Sequence, residues 1–190
     1  MTLATFCLRV KGETGHELVA KAWNALWLFH LVLTPLPVIT PASALQIAWA
    51  KNNLLRFEGL IENHAFSSAM RCYGNAHYLF DTDTRIMLLW AGIEGLLSVD
   101  AELSRRIALY AALLHKGTPA EKGVYFNEVR KAYAIRSRAV HGGNASSAKL
   151  KAGYESASKI LVGLLARCVE LGRVPTSNEL DALAVAQNLV

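Results

Sequence analysis

The sequence has few cysteines and none of the short motifs that hold nucleotides. Cys7, Cys72 and Cys168 lie far apart and form no C-x-x-C pair, so neither a disulfide scaffold nor a cysteine-based zinc site is expected. Both phosphate-binding loops, G-x-x-x-x-G-K-S/T and G-x-G-x-x-G, are missing, which disfavours an NTPase or a dinucleotide enzyme. The histidines do not stand at ligand spacing with carboxylates. We therefore expect no metal, no cofactor and a reducing, cytoplasmic location.

Charge is also scarce, whereas apolar side chains are abundant. Among 190 residues, 18% are charged and 53% are hydrophobic, which excludes a disordered chain and supplies enough apolar surface for a well-buried core. The excess of apolar surface predicts contact with a partner, and we expect a homodimer. The most apolar stretch, 22–40, contains His30 and is interrupted by Pro35 and Pro37. We therefore interpret it as a buried helix followed by an extended segment and predict no membrane role.

Acidic residues are absent from one long segment of the chain. Residues 121–173 hold ten Lys or Arg against four Asp or Glu, and 130–151 hold no acid at all. Such a run is often only a solvated surface, but it also fits a surface that binds phosphate groups. The basic side chains in it that we assign to RNA binding are Arg130, Lys131, Lys149 and Lys151.

Proline and glycine divide the chain into an appendage and one main domain. We predict an appendage at 1–43, with a short strand at 4–11, an apolar helix at 13–33 and a proline-rich linker at 34–43. The main domain at 44–190 has helical periodicity throughout and is predicted to be all-α, with antiparallel helices joined by short loops. Its helices are expected at 44–62, 65–80, 85–98, 101–115, 118–141, from Ser146 or Ser147 to 172, and at 178–189.

One segment, YAIRSRAVHGGN at 133–144, combines residue types that suit chemistry on RNA. On a helix, Ser137 and His141 share a face, and Arg138 neighbours His141. Arg136 lies farther around the helix, a gap that its long side chain or a loosened last turn can partly cover. A histidine moves protons near neutral pH, and an arginine presents a fixed fork of donors to a phosphate. The simpler interpretation is that these cations complement the negative end of the helix dipole.

This segment resembles the R-x-x-x-x-H signature of HEPN domains (higher eukaryotes and prokaryotes nucleotide-binding domains). It is most similar to the Apea-like branch, whose pattern is approximately Y-x-x-R-[SN]-x-[IV]-V-H-G. The matching residues are Tyr133, Arg136, Ser137, Val140, His141 and Gly142. Upstream, LLWAGIEGLLS resembles a family helix with an acidic position at Glu94, and Gly92 stands where alanine is more usual. The following ELSRRIALYAALL also fits, so the resemblance covers about 65–190.

The resemblance implies a dimeric bundle of four or five helices and a metal-independent endoribonuclease that cuts single-stranded or looped RNA. Arg136 and His141 would be catalytic, with Ser137, Glu94 and Arg138 in support. Ser137 stands where active members often carry Asn, Asp or His, and it cannot carry charge. Toxin and phage-defence systems contain such proteins, so an inhibitory or antitoxin partner is a further expectation. The alternative is a non-catalytic module that dimerises or binds a nucleotide or a protein.

Glu94 poses its own question because it lies on an almost entirely apolar helix. A carboxylate in such a place must be paired or neutral. One interpretation is a structural ion pair with a core arginine such as Arg106. The other is that Glu94 orients Arg136 or His141. The sequence leaves both open.

Overall fold

The computed structural model describes residues 44–140 and 146–188, and these ranges form helices joined by short turns. They contain seven α-helices and no β-strand: α1 Ala44–Ile61, α2 His64–Ala76, α3 Thr82–Leu97, α4 Leu103–Leu114, α5 Pro119–Val140, α6 Ser147–Leu171 and α7 Ser177–Asn188. The predicted strand at 4–11, the helix at 13–33 and the linker at 34–43 lie outside the described residues.

The all-α class is confirmed, and every described helix lies where the periodicity predicts one. The number of helices, seven in the described ranges, exceeds the four or five that the family resemblance implies. None of these helices is long and apolar enough to cross a membrane, and the apolar stretch at 22–40 falls outside them.

Three helix ends follow the local signals in the sequence. Thr118 and Glu121 form a reciprocal capping box at the start of α5, with Thr118 N donating to Glu121 Oε2 at 2.7 Å and Glu121 N to Thr118 Oγ1 at 3.3 Å. Thr176 and Glu179 make the same pair of bonds before α7, at 2.8 and 3.3 Å. Gly172 ends α6 in the left-handed conformation, at φ 69°, that glycine adopts without strain.

Three predicted boundaries are wrong by two residues or more. We expected α3 to begin at residue 85, but it begins at Thr82. We expected α4 to begin at residue 101, but it begins at Leu103, after Glu102 in a left-handed conformation with φ 49° and no capping bond from its side chain. We also expected α2 to reach residue 80, but it ends at Ala76, and residues 77–81 form a loop. Gly74 and Asn75 in the last turn of α2 were the local signal for this end, whereas no glycine or proline follows Ala76 in the loop.

Helix α3 is the centre of the bundle, as its nearly uniform apolar composition predicts. It packs against α2, α4, α5 and α6. Five of its large side chains have no more than 1% of their surface exposed: Ile86, Leu89, Trp90, Ile93 and Leu96. A charged side chain on this helix therefore has to reach the surface or find a partner on a neighbouring helix.

Two glycines let the helices around α3 approach closely. A Cβ on Gly92 would lie 2.9 Å from Cys72 Cβ on α2 and 3.1 Å from Leu161 on α6. A Cβ on Gly153 of α6 would lie 2.7 Å from Ile135 on α5. The missing side chain at Gly92, where the family pattern more usually has alanine, is thus required by the spacing of three helices in this chain.

We expect two glycines three residues apart on α3 to respond oppositely to alanine. Gly92→Ala should lower the free energy of unfolding by about 1–3 kcal/mol because the added methyl overpacks the contact with Cys72. Gly95→Ala should raise it by about 0.5–1 kcal/mol, since nothing lies within 4 Å of its Cβ position and alanine favours the helix. Urea denaturation measures both, and a stabilising Gly92→Ala would contradict the packing described.

Candidate active site at the end of helix α5

Arg136, near the C-terminal end of α5, is held against α3 by an ion pair. Its Nη2 lies 3.2 Å from Glu94 Oε1, and the two side chains are 24% and 20% exposed. Its guanidinium carbon also lies 5.4 Å from the ring centroid of Tyr133, one turn earlier on α5. An arginine bound to both a carboxylate and an aromatic ring has little freedom of rotation. The guanidinium is therefore fixed at the boundary between core and solvent.

The aromatic support under Arg136 continues into the core. Tyr133 meets Trp90 of α3 edge to face, with ring centroids 5.1 Å apart and an interplanar angle of 86°. Trp90 is fully buried and stands four residues before Glu94, on the same side of α3. Trp90 and Tyr133 thus fix the spacing of α3 and α5 at the level of the ion pair. Trp90 was not among the predicted site residues, although its i,i+4 spacing from Glu94 is a signal that could have indicated it.

Burial dominates the electrostatics of Glu94. Desolvation raises the pKa of its carboxyl, and the nearby Arg136 lowers it only in part. Burial also raises the pKa of Tyr133, an effect that Arg136 opposes and Glu94 reinforces. Burial of the ionised Glu94 therefore carries a free-energy cost that the Arg136 charge offsets only in part.

The hydrogen bonding around the ion pair is incomplete among the described residues. Glu94 Oε1, Arg136 Nε and Trp90 Nε1 are each buried and make no hydrogen bond there, although Oε1 remains at ion-pair distance from Arg136. Within the described ranges, Glu94 is the one carboxylate close enough to pair with Arg136. The guanidinium has five N–H donors, so most of its donor capacity is not used by Glu94.

Arg106, the alternative partner considered for Glu94, is paired elsewhere. Its Nη2 donates to Asp181 of α7 at 2.9 Å and to the Tyr110 hydroxyl at 2.6 Å. Tyr110 in turn donates to Asp181 at 2.6 Å. Arg106 is therefore not the partner of Glu94, and it instead anchors α7 to α4. The core arginine that pairs with Glu94 is Arg136.

The remaining predicted site residues that the structure describes lie on α5 and α6. Ser137 is partly buried, and the other side chains are exposed and have no carboxylate partner among the described residues: Arg130, Lys131, Arg138, Lys149 and Lys151. Arg130 covers the ring of Phe126, with its guanidinium carbon 5.7 Å from the centroid. His141, which follows the last residue of α5, lies outside the described residues.

The end of α5 and the start of α6 are neighbours in space. Gly153 of α6 packs against Ile135 of α5, one residue before Arg136. Helix α5 continues from there to Val140, and α6 begins six residues before Gly153 at Ser147. Arg138 near the end of α5 and Lys149 and Lys151 near the start of α6 thus lie in neighbouring parts of these two helices.

Comparisons of the chain with protein-family models, with curated proteins and with solved structures find no match. What the chain does must therefore be inferred from its own residues.

We expect Glu94 to make the protein less stable as the pH rises. Because the carboxyl's pKa is higher in the folded than in the unfolded chain, the folded state binds more protons between the two values, and its stability falls with pH there. Glu94→Gln removes this titration. The free energy of unfolding of the wild type minus that of the variant should therefore decrease from about pH 4 to pH 7 in urea denaturation.

The matched comparison removes Arg136. In proteins that carry Arg136→Met, we compare the free energy of unfolding with Glu94 and with Glu94→Gln in the same way. This difference should decrease more steeply with pH than in the wild-type background, because the charge that lowers the pKa of the carboxyl is gone. If the unfolding free energy of the wild type minus that of Glu94→Gln increased with pH, Arg136 would lower the pKa of Glu94 by more than burial raises it. That result would contradict this account.

Proposed function

We propose that this protein is a metal-independent endoribonuclease that cuts single-stranded or looped RNA. Arg136 and His141 are its catalytic residues, and Glu94 is a positioning residue that acts through Arg136. The observation that carries the proposal is the fixed guanidinium of Arg136, held by Glu94 and Tyr133 at the surface of a cationic end of the bundle. The resemblance of 133–142 to HEPN domains supplies the reaction class.

The reaction needs no metal because the nucleophile belongs to the substrate. The ribose 2′-oxygen attacks the adjacent phosphorus, its proton leaves to a base, and the bond from phosphorus to the 5′-oxygen breaks. His141 accepts the first proton or donates one to the departing 5′-oxygen. The products are a 2′,3′-cyclic phosphate and a 5′-hydroxyl.

Arg136 contributes by stabilising charge as it develops on the phosphate oxygens. A planar guanidinium offers parallel donors to two oxygens, and a preorganised donor needs no reorientation when the charge appears. Glu94 provides that preorganisation because it anchors one nitrogen and leaves other donors unused. Ser137 supplies a hydrogen-bonding hydroxyl beside Arg136, and Arg138 an exposed positive charge.

The exposed cations account for binding rather than chemistry. Arg130, Lys131, Lys149 and Lys151 have no carboxylate partner among the described residues, so their charges are available to phosphates. The proposal includes a two-fold homodimer, in which each copy contributes one Arg136 and one His141. An inhibitory protein partner is also proposed, as for toxin and phage-defence nucleases.

We expect the full-length protein to cut a generic single-stranded RNA in the presence of EDTA. His141→Ala should lower the rate of cleavage of bound RNA by about 10²–10⁴-fold, because a positioned acid–base group is lost. Arg136→Lys keeps the charge but loses the planar fork, so it should bind RNA and cut it slowly. Gel analysis of the product ends gives the measurement, and folding of each variant is checked by circular dichroism.

Lys149→Ala and Lys151→Ala are the matched controls. They should weaken RNA binding and flatten its dependence on salt, while bound RNA is cut at nearly the wild-type rate. If folded His141→Ala cuts RNA as fast as the wild type, the proposed catalytic role is wrong. If the wild type cuts no RNA, the non-catalytic interaction module becomes the better account.

A further inference from the structure

Two aromatic side chains are displayed almost completely to solvent on the loop between α2 and α3. Tyr78 is 89% exposed and Phe80 is 95% exposed, the highest values among the exposed large hydrophobic residues described. Exposed aromatic rings on a surface commonly mark a binding site, because leaving them in water is unfavourable. We call residues 77–81 the aromatic loop.

The backbone of the aromatic loop is held in place by its neighbours. Tyr78 N donates to Asn75 O at 3.1 Å, and Arg85 Nε donates to Leu79 O at 2.6 Å. At the other end of the loop, Arg85 N donates to Asp81 O at 3.0 Å. A loop backbone that is ordered before binding loses less conformational entropy when a ligand arrives.

The aromatic loop lies beside the part of α6 that packs against α5. His77 Nδ1 is 2.7 Å from the hydroxyl of Tyr154 on α6, and the Arg85 guanidinium carbon is 5.7 Å from the Tyr154 ring. The neighbouring Gly153 packs against Ile135, the residue before Arg136. The aromatic loop is thus a neighbour of the turn of α6 that carries Lys151, three residues before Tyr154.

The charges beside the aromatic loop favour an anionic ligand with flat apolar groups. Lys151 lies one helical turn before Tyr154, Lys149 is in the first turn of α6, and Arg85 lies beside the loop. Two acidic residues, Asp81 and Asp83, stand at the N-terminus of α3, where the helix dipole compensates part of their charge. Aromatic rings beside a basic surface are the combination that binds unpaired nucleic-acid bases and their phosphates.

We propose that Tyr78 and Phe80 form a stacking platform for unpaired bases of single-stranded RNA. The platform would hold the strand while its backbone crosses Lys149 and Lys151 towards Arg136. This inference rests on the proposed function, and it adds the reason for a preference for unpaired RNA. A duplex keeps its bases stacked on each other and offers no free faces to the two rings.

The test measures binding to the inactive full-length protein, His141→Ala, so that RNA survives the experiment. The probes are a fluorescein-labelled oligouridine and an RNA duplex of the same length, titrated by fluorescence anisotropy. Tyr78→Ala and Phe80→Ala should each weaken oligouridine binding by roughly 5- to 150-fold, the range for the loss of one stacked base. Duplex binding should change by less than about twofold, because only phosphate contacts remain in use.

Tyr78→Phe and Leu55→Ala are the matched controls. Tyr78→Phe keeps the ring and should bind oligouridine like its parent, whereas Leu55→Ala removes a side chain that is 82% exposed on α1 and should have no effect. Light scattering on every variant checks the oligomeric mass. A change of mass in Tyr78→Ala or Phe80→Ala would identify the aromatic loop as a contact between copies of the chain and would overturn the platform.

Failure of the platform and failure of the proposed function give different results. Unchanged oligouridine affinity in both alanine variants overturns the platform even if the wild type cuts RNA. Weakened binding in both variants supports the platform even if the wild type cuts no RNA, in which case only the catalytic proposal falls. If the protein binds neither probe, both proposals are wrong.

Discussion

A carboxylate on a helix that is covered by its neighbours needs an opposite charge, and this constraint organises the bundle around Glu94. Helix α3 packs against four other helices, and its large side chains are buried almost completely. Burial raises the pKa of Glu94, and the opposing effect comes from Arg136 alone. The ion pair therefore fixes α5 against α3, and it also places one guanidinium at the edge of the core.

The rest of the candidate site follows from that placement. Because α5 and α6 meet closely at Ile135 and Gly153, the segment after Arg136 and the first lysines of α6 belong to the same end of the bundle. The contact of Tyr154 with His77 places the aromatic loop beside the N-terminal half of α6, which carries those lysines. The RNA path that we propose from the two exposed rings to Arg136 would cross this part of α6.

Local signals in the sequence were enough to predict most of the fold. The Thr118 and Thr176 caps and Gly172 each act through hydrogen bonds or backbone conformations within a few residues, so their effect is visible in the sequence itself. The starts of α3 at Thr82 and of α4 at Leu103 and the end of α2 at Ala76 were not predicted. Neither helix start has a capping bond from the side chain of the preceding residue, and Gly74 lies within the last turn of α2 rather than after it.

The sequence indicated which residues belong to the candidate site, but it did not indicate which arginine pairs with Glu94. The resemblance indicated Glu94 and Arg136 as residues of interest, yet either Arg106 or Arg136 could have neutralised the carboxylate. The choice depends on how α3, α4 and α5 are arranged in space, which no spacing within one helix determines. Tyr78 and Phe80 were assigned to a helix, so their display on a loop could be seen only in the structure.

The most direct test of the central claim, that Glu94 acts through Arg136, is a double-mutant cycle on the cleavage of bound RNA. Glu94→Gln and Arg136→Lys are measured singly and together, with kcat and KM separated. We predict that each single variant lowers kcat with little change in KM, Arg136→Lys by about 10²-fold, and that the double variant is no slower than Arg136→Lys alone. Losses that multiply in the double variant, or a Glu94→Gln protein with the wild-type kcat, would contradict the account.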